Sequence, residues 1–393
     1  MNLDQILEVA GRLAVTELAP RAAAVDRQAS WPEEGIRALL AAGLGGLVVP
    51  RRHGGLGQGL YGLNRVCEVL GKGCPSAALC FGMHAVGSAV IAAKATTDQQ
   101  ARLLVPIAAG EHLTTLALSE PGSGAHFYLP ASTVSKGPDG SYLVSGEKSF
   151  VTNGGHADSY VVSVVGTAPE APMGQFSCVV VPADSPGMRW QEPWRGFGMR
   201  GNASGALRLE AVAVPANNLL GEEGDQLWYA FQVVAPYFLM AMTGVYLGIA
   251  ARVIDELVDH MRGRTHSHDG RRLAQRDVLQ HRLAALWARL EATRRLSYHA
   301  ASEYDAGNPD ILPAVLSAKA EVADCCVEVC NDAMTLAGGR AYGADSVFSR
   351  MLRDARAAHV MAPTTDMLRL WAGRSLLGEP LLRESDDYVS RSP

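Results

Sequence analysis

Residues 116 to 158, LALSEPGSGAHFYLPASTVSKGPDGSYLVSGEKSFVTNGGHAD, decide the fold. Apolar and polar residues alternate through the middle of this stretch (Tyr142, Val144, then Lys148, Phe150, Thr152) between glycine-rich turns, the period of half-buried strands. Sheet is therefore expected here, inside a chain whose flanks read as helical. Two turns of small residues leave the strands, Ser119-Glu120-Pro121-Gly122-Ser123-Gly124 and Phe150-Val151-Thr152-Asn153-Gly154-Gly155. Small residues let backbone N–H groups approach a flat or anionic ligand, because no Cβ stands in the way. Alone, the first turn also reads as an ordinary β-turn built on proline and glycine.

Working outward, residues 1–112 read as helices with short connectors. Ser30-Trp31-Pro32-Glu33-Glu34 is a helix start, with proline in the first turn and acids at the positive end of the dipole. A glycine-rich break follows at Arg51–Gly57, then an apolar helix after Pro75 that carries His84, a lone histidine best read as a satisfied core residue. Residues 113–221 hold the further strand signals Tyr160–Val165, Phe176–Pro182 and Ala206–Leu209 running into Val212–Pro215. Residues 222–385 show four helical stretches near 225–262, 271–306, 311–338 and 364–378, which with short links form a bundle. The expected fold is α+β and multidomain: an N-terminal α-helical domain, a small central β-sheet or barrel, and a C-terminal four-helix bundle. The polar tail after Glu384 is expected to be loose.

At 393 residues and 48% apolar composition the chain can bury several cores. Its net charge of −5 carries no basic stripe, so no nucleic acid partner is expected. The N-terminus lacks a basic start followed by an unbroken apolar run, and the longest apolar stretch, Leu239–Ala251, reads as too short for a membrane span. The seven cysteines form no paired framework, which suits a reducing compartment, and a cytoplasmic location is expected. Cys325, Cys326 and Cys330 lack metal-site spacing and read as core, and His266 and His268 read as a solvated loop, so no metal is expected.

Taken together, and followed by Ala157-Asp158, the two central turns resemble those of the acyl-CoA dehydrogenase family. That family's flavin-binding strand pair carries Thr/Ser-Glu-Pro-x-x-Gly and Gly-x-Lys-x-Trp/Phe-Ile/Val-Thr-Asn-Gly. The likeness runs over nearly the whole chain. It continues through Gly196-Phe197-Gly198-Met199-Arg200-Gly201, Leu336-Ala337-Gly338-Gly339-Arg340-Ala341-Tyr342-Gly343 and Arg353-Asp354-Ala355-Arg356. The resemblance implies FAD as cofactor and an acyl-CoA or acyl carrier protein thioester as substrate. It also implies a homodimer or homotetramer and an electron-transfer flavoprotein as a possible partner. It assigns Leu118, Ser119, Gly124, Phe150 and Thr152 to the flavin turns, Arg264, Gly338 and Gly339 to the cofactor pyrophosphate, and Thr364 and Asp366 to further flavin contacts. Three departures are visible: Gly124-Ala125-His126 stands for Gly-Ser-Asp, Thr335 for glutamine, and His266 follows Arg264-Thr265 where the pattern runs toward phenylalanine.

The family's reaction needs a carboxylate to take a proton beside the thioester carbonyl. Aligned from Arg353–Arg356, the usual position of that glutamate is Ala362, and the alternative position on the first bundle helix is Phe238. Neither side chain can titrate, so the catalytic residue stays unassigned, with Asp366, Tyr237 and His84 as remote substitutes. Three readings follow: a dehydrogenase with a non-standard base, a flavin-dependent monooxygenase on the same fold, and a non-redox acyl-thioester-binding or partner subunit.

Overall fold

The computed structural model describes residues 1–137, 139–166 and 176–382; the tail after Glu384 lies outside them. Helices run from Leu3 to Ala109 and again from Gln226 to Leu376, with the strands between. These are β1 (Thr114–Ala117), β2 (Thr133–Lys136), β3 (Tyr142–Val151), β4 (Ser159–Gly166), β5 (Phe176–Pro182), β6 (Met188–Trp190), β7 (Gly205–Val214) and β8 (Leu219–Leu220).

They form one mixed sheet in the order β6-β7-β3-β2-β4-β5-β8. β1 lies parallel to the start of β4, and β2 meets the end of β4, also parallel. The segment read as Ala206–Leu209 running into Val212–Pro215 is one strand, β7, which passes Ala211 at φ 47°. β3 is not regular either, since its register against β7 shifts between Val144 and Gly146 and again between Lys148 and Val151. At the first shift, Gly146 has φ 148° and an added Cβ would stand 2.2 Å from Ser132 Oγ, so only glycine fits. The second shift turns Phe150 (φ 55°) out of the alternation.

The long helix Ala235–Gly263 packs against helices Leu60–Gly73, Pro75–Ala93 and Leu312–Ala337 and so joins the two helical parts. Gly244 and Gly248 let it approach closely, because a Cβ at either would stand 2.3 Å from the carbonyl of Asn64 or Glu68. The apolar run read as Leu239–Ala251 is thus one piece of a longer element. Pro75–Ala93 and the continuous run Leu227–Gly263 are each long and apolar enough to cross a membrane, yet 89% of each apolar window is buried inside the protein. The expectation of a run too short to span is corrected on length; tertiary burial accounts for the apolarity.

Three short π-helical turns, Ala14–Leu18, Gln100–Leu104 and Ala230–Val234, each stop two residues before a proline (Pro20, Pro106, Pro236). Proline has no N–H and its ring crowds the carbonyl four residues back, so the ladder widens instead of closing. At Pro236 that carbonyl belongs to Gln232, and the Tyr304 hydroxyl donates to it at 3.1 Å. The C-terminal segments differ from expectation at two places. The second bundle helix starts at Asp277 rather than near 271, and short helices Val347–Ala355 and Ala357–Val360 precede the last one, Thr365–Leu376.

Helix Leu60–Gly73 begins after Gly59, which has no side chain to cap it. The Asp305 carboxylate, at the end of Asp277–Asp305, accepts instead from the amides of Leu60 (2.7 Å) and Tyr61 (2.9 Å). Asp305→Ala is expected to cost about 1 kcal/mol in chemical denaturation, the usual value of a lost cap.

Candidate active site

A cavity of about 840 Å³ opens between the sheet and the two helical parts. One wall is the turn after β1 (Leu118, Ser119, Gly124) with the end of β3 (Phe150, Thr152); another is Val234, Ala235 and Phe238; a third runs from Arg353 to Pro363. The turn is fixed by a buried ion pair that the β-turn reading of Glu120 did not anticipate. Lys148 Nζ, fully buried on β3, donates to Glu120 Oε1 and to the Ser163 carbonyl, each at 2.6 Å. Glu120 also accepts from the amides of Ala131 and Ser132. Burial pushes the Glu120 carboxyl up, but Lys148 and these donors outweigh it and hold it below the usual carboxylate range.

The second turn is fixed by Asn153, which accepts from Trp31 Nε1 and donates to the Cys80 carbonyl, both at 2.9 Å. The loop at Phe197–Met199 is held by the arginine-aspartate pair. Arg353 binds Asp26 and donates to the Phe197 carbonyl, while Asp354 accepts from the Met199 amide at 2.6 Å. Burial raises the Asp354 carboxyl to about 7.

Several residues lining this space carry donors without a protein partner. Neither the N–H nor the hydroxyl of Ser119 has a partner among the described residues, and the same holds for the N–H of Ala362. Asn202 Nδ2 is buried and has no partner among the described residues. Thr152 and Ser204 share one hydrogen bond at 3.0 Å, so one of the two O–H groups remains to donate elsewhere. Phe150 is 64% exposed and Phe197 70%, with Trp194 edge-on to Phe150 at 5.9 Å. Aromatic walls around scattered donors fit a flat ring system rich in carbonyls and ring nitrogens, and the isoalloxazine of FAD is such a group.

Of the residues assigned by resemblance, Leu118, Ser119, Gly124, Phe150 and Thr152 come together on this cavity, while Arg264, Gly338, Gly339, Thr364 and Asp366 do not line it. Arg264, Gly338, Gly339 and Asp366 are exposed, and an added Cβ at either glycine would meet nothing within 4 Å. Thr364 caps the last helix, accepting from the Met367 amide at 3.4 Å.

Both positions that can carry the base, Ala362 and Phe238, face the cavity. Glu120 is the only carboxylate on its wall among the described residues, and its oxygens are spent. The substitutes Asp366, Tyr237 and His84 do not line it. His84 is a core residue as read: it accepts from the Thr114 amide and donates to the Gly45 carbonyl, and burial lowers its pKa to about 4. The seven cysteines are buried, and none of them forms a disulfide among the described residues.

The chain matches the N-terminal domain of acyl-CoA dehydrogenase over residues 2–111, the middle domain over 115–212 and the C-terminal domain over 238–377. It is 30% identical over 366 residues to an acyl-CoA dehydrogenase of Bacillus subtilis, covering 92% of this chain and 94% of that protein. It is likewise 30% identical over 382 residues to the mitochondrial isobutyryl-CoA dehydrogenase of Bos taurus, covering 95% and 88%. The butyryl-CoA dehydrogenase structure from Megasphaera elsdenii superposes with a TM-score of 0.90 at 26% identity, over 95% of this chain and 98% of that one. Sequence, domain order and site architecture agree: the chain belongs to the acyl-CoA dehydrogenase family of FAD-dependent oxidoreductases.

Proposed function

We propose that the protein oxidises an acyl thioester, bound to CoA or to an acyl carrier protein, by α,β-dehydrogenation without a carboxylate base in its cavity wall. The unpartnered N–H of Ala362, facing the same space as the free donors of Ser119 and Asn202, carries this reading. When bound there, FAD supplies the acceptor for the hydride leaving the β-carbon. Leu118, Ser119, Gly124, Phe150 and Thr152 hold the ring, and the Ala362 N–H takes the thioester carbonyl oxygen, a contact that strengthens as charge develops on it. With Ala362 and Phe238 unable to titrate, solvent is left to receive the α-proton, so turnover is slow.

Arg264, Gly338, Gly339, Thr364 and Asp366 serve the cofactor at an interface between copies in a homodimer or homotetramer, a role their position outside the cavity supports. An electron-transfer flavoprotein is the proposed oxidant, and buried cysteines outside any disulfide suit the cytoplasm.

The absorption spectrum of the purified protein with added FAD tests the reading. A retained flavin spectrum that an acyl-CoA bleaches slowly without oxygen is expected. The apolar residues at both base positions favour a second reading, a non-redox thioester-binding partner subunit. A protein that stays colourless with FAD yet is stabilised by the thioester decides for it. Dependence on a separate flavin reductase points to the monooxygenase.

A further inference from the structure

Lys319 is a buried lysine two turns into helix Leu312–Ala337, and no carboxylate lies within ion-pair distance of it among the described residues. Its Nζ donates to three carbonyls of one turn: Ala358 at 2.6 Å, Pro363 at 3.1 Å and Met361 at 3.3 Å. The first two bracket Ala362. The third is the carbonyl of the peptide unit whose N–H belongs to Ala362, the free donor on the cavity wall. Taking a lysine out of water is costly, and three carbonyls return only part of that cost. Burial lowers its pKa to about 8, which leaves it charged at neutral pH.

We propose that Lys319 is a positioning residue that aims and polarises the Met361–Ala362 peptide, so that the Ala362 N–H becomes a strong donor to a thioester carbonyl. An ammonium on the oxygen of a peptide withdraws electron density from it and makes its N–H a better donor, the cooperative strengthening of hydrogen-bonded chains. The Ala358 and Pro363 contacts fix the plane of the turn and hence the direction of that N–H. The inference rests on the thioester reading above, and it names a residue with no contact to the cavity itself.

The test is the carbonyl carbon resonance of [1-¹³C]crotonoyl-CoA bound to the FAD-loaded protein. This probe cannot undergo the dehydrogenation, and its carbonyl carbon moves downfield as the carbonyl is polarised. The parent is expected to move the signal downfield. Lys319→Met, close in length and without donors, is expected to bring the bound signal at least halfway back toward the free probe while still binding it. Lys319→Gln, which keeps two N–H donors without the charge, is expected to fall between them, and it carries the test if the methionine variant does not fold. A bound signal unmoved from the parent's in either folded variant overturns the proposal. So does weaker binding with the parent's shift, since that is the mark of a merely structural role. A parent that binds the probe without any downfield movement, or not at all, sinks the thioester reading itself.

Discussion

Ala362→Glu is expected to raise the rate of anaerobic flavin reduction by a simple acyl-CoA by about 10²- to 10⁴-fold, the usual contribution of a positioned general base. The argument is geometric. Ala362 faces the cavity, its N–H is the proposed carbonyl donor, and a carboxylate grown from its Cβ enters space that the apolar wall leaves open. Arg353 and Arg356 line the same wall and favour the ionised form of the new acid. Ala362→Gln supplies the control, with the same reach and nothing to titrate, and should match the parent. Stopped-flow reduction of the FAD-loaded proteins under argon, with thermal unfolding to confirm the fold, reads the difference. A glutamate variant that binds the thioester yet stays as slow as the glutamine variant would remove the site from this chemistry.

The strand pair and its turns were legible because their signals are local: period-two alternation and small residues at fixed offsets. The long bundle helices were legible for the same reason, each carrying several turns of apolar periodicity. What escaped the sequence reading is what tertiary partners decide. Lys148 sits in the alternation like any polar strand residue, and only the turn after β1 folding back over it shows that it points inward to Glu120. Its place between Val144 and Val151, both buried, was the available hint. Lys319 gave a weaker one, a single cation in a run of alanines and valines on a helix with apolar neighbours all round. Helix Ala357–Val360 is a single turn, too short for periodicity to register, whereas Val347–Ala355 carries its apolar stripe (Val347, Phe348, Met351, Leu352, Ala355) in plain sequence and was missed for its brevity. The two empty base positions were legible because an alignment on Arg353–Arg356 needs no geometry. That both face one cavity, and that Glu120 cannot replace them, came only from the fold.

Breaking the Lys148–Glu120 pair should be the most damaging single change in the sheet. Lys148→Met leaves Glu120 charged beneath the turn, with the amides of Ala131 and Ser132 as its remaining partners, and a broken buried pair costs about 3–5 kcal/mol. The turn carrying Leu118 and Ser119 also loses its tether to Ser163, so FAD retention should fall along with the midpoint in guanidinium. The pH dependence has a fixed sign. The Glu120 carboxyl lies below its unfolded range, so its stabilisation is present above the unfolded carboxylate value, near pH 4, and is lost as pH falls through the depressed folded value. The gap between parent and Lys148→Met should therefore narrow in acid. Removing both charges, as Lys148→Met with Glu120→Leu, should cost less than the sum of the single changes, because no uncompensated charge stays buried. If the two costs simply add, the pair is not what holds the turn, and the walls of the cavity owe their shape to the surrounding apolar packing instead.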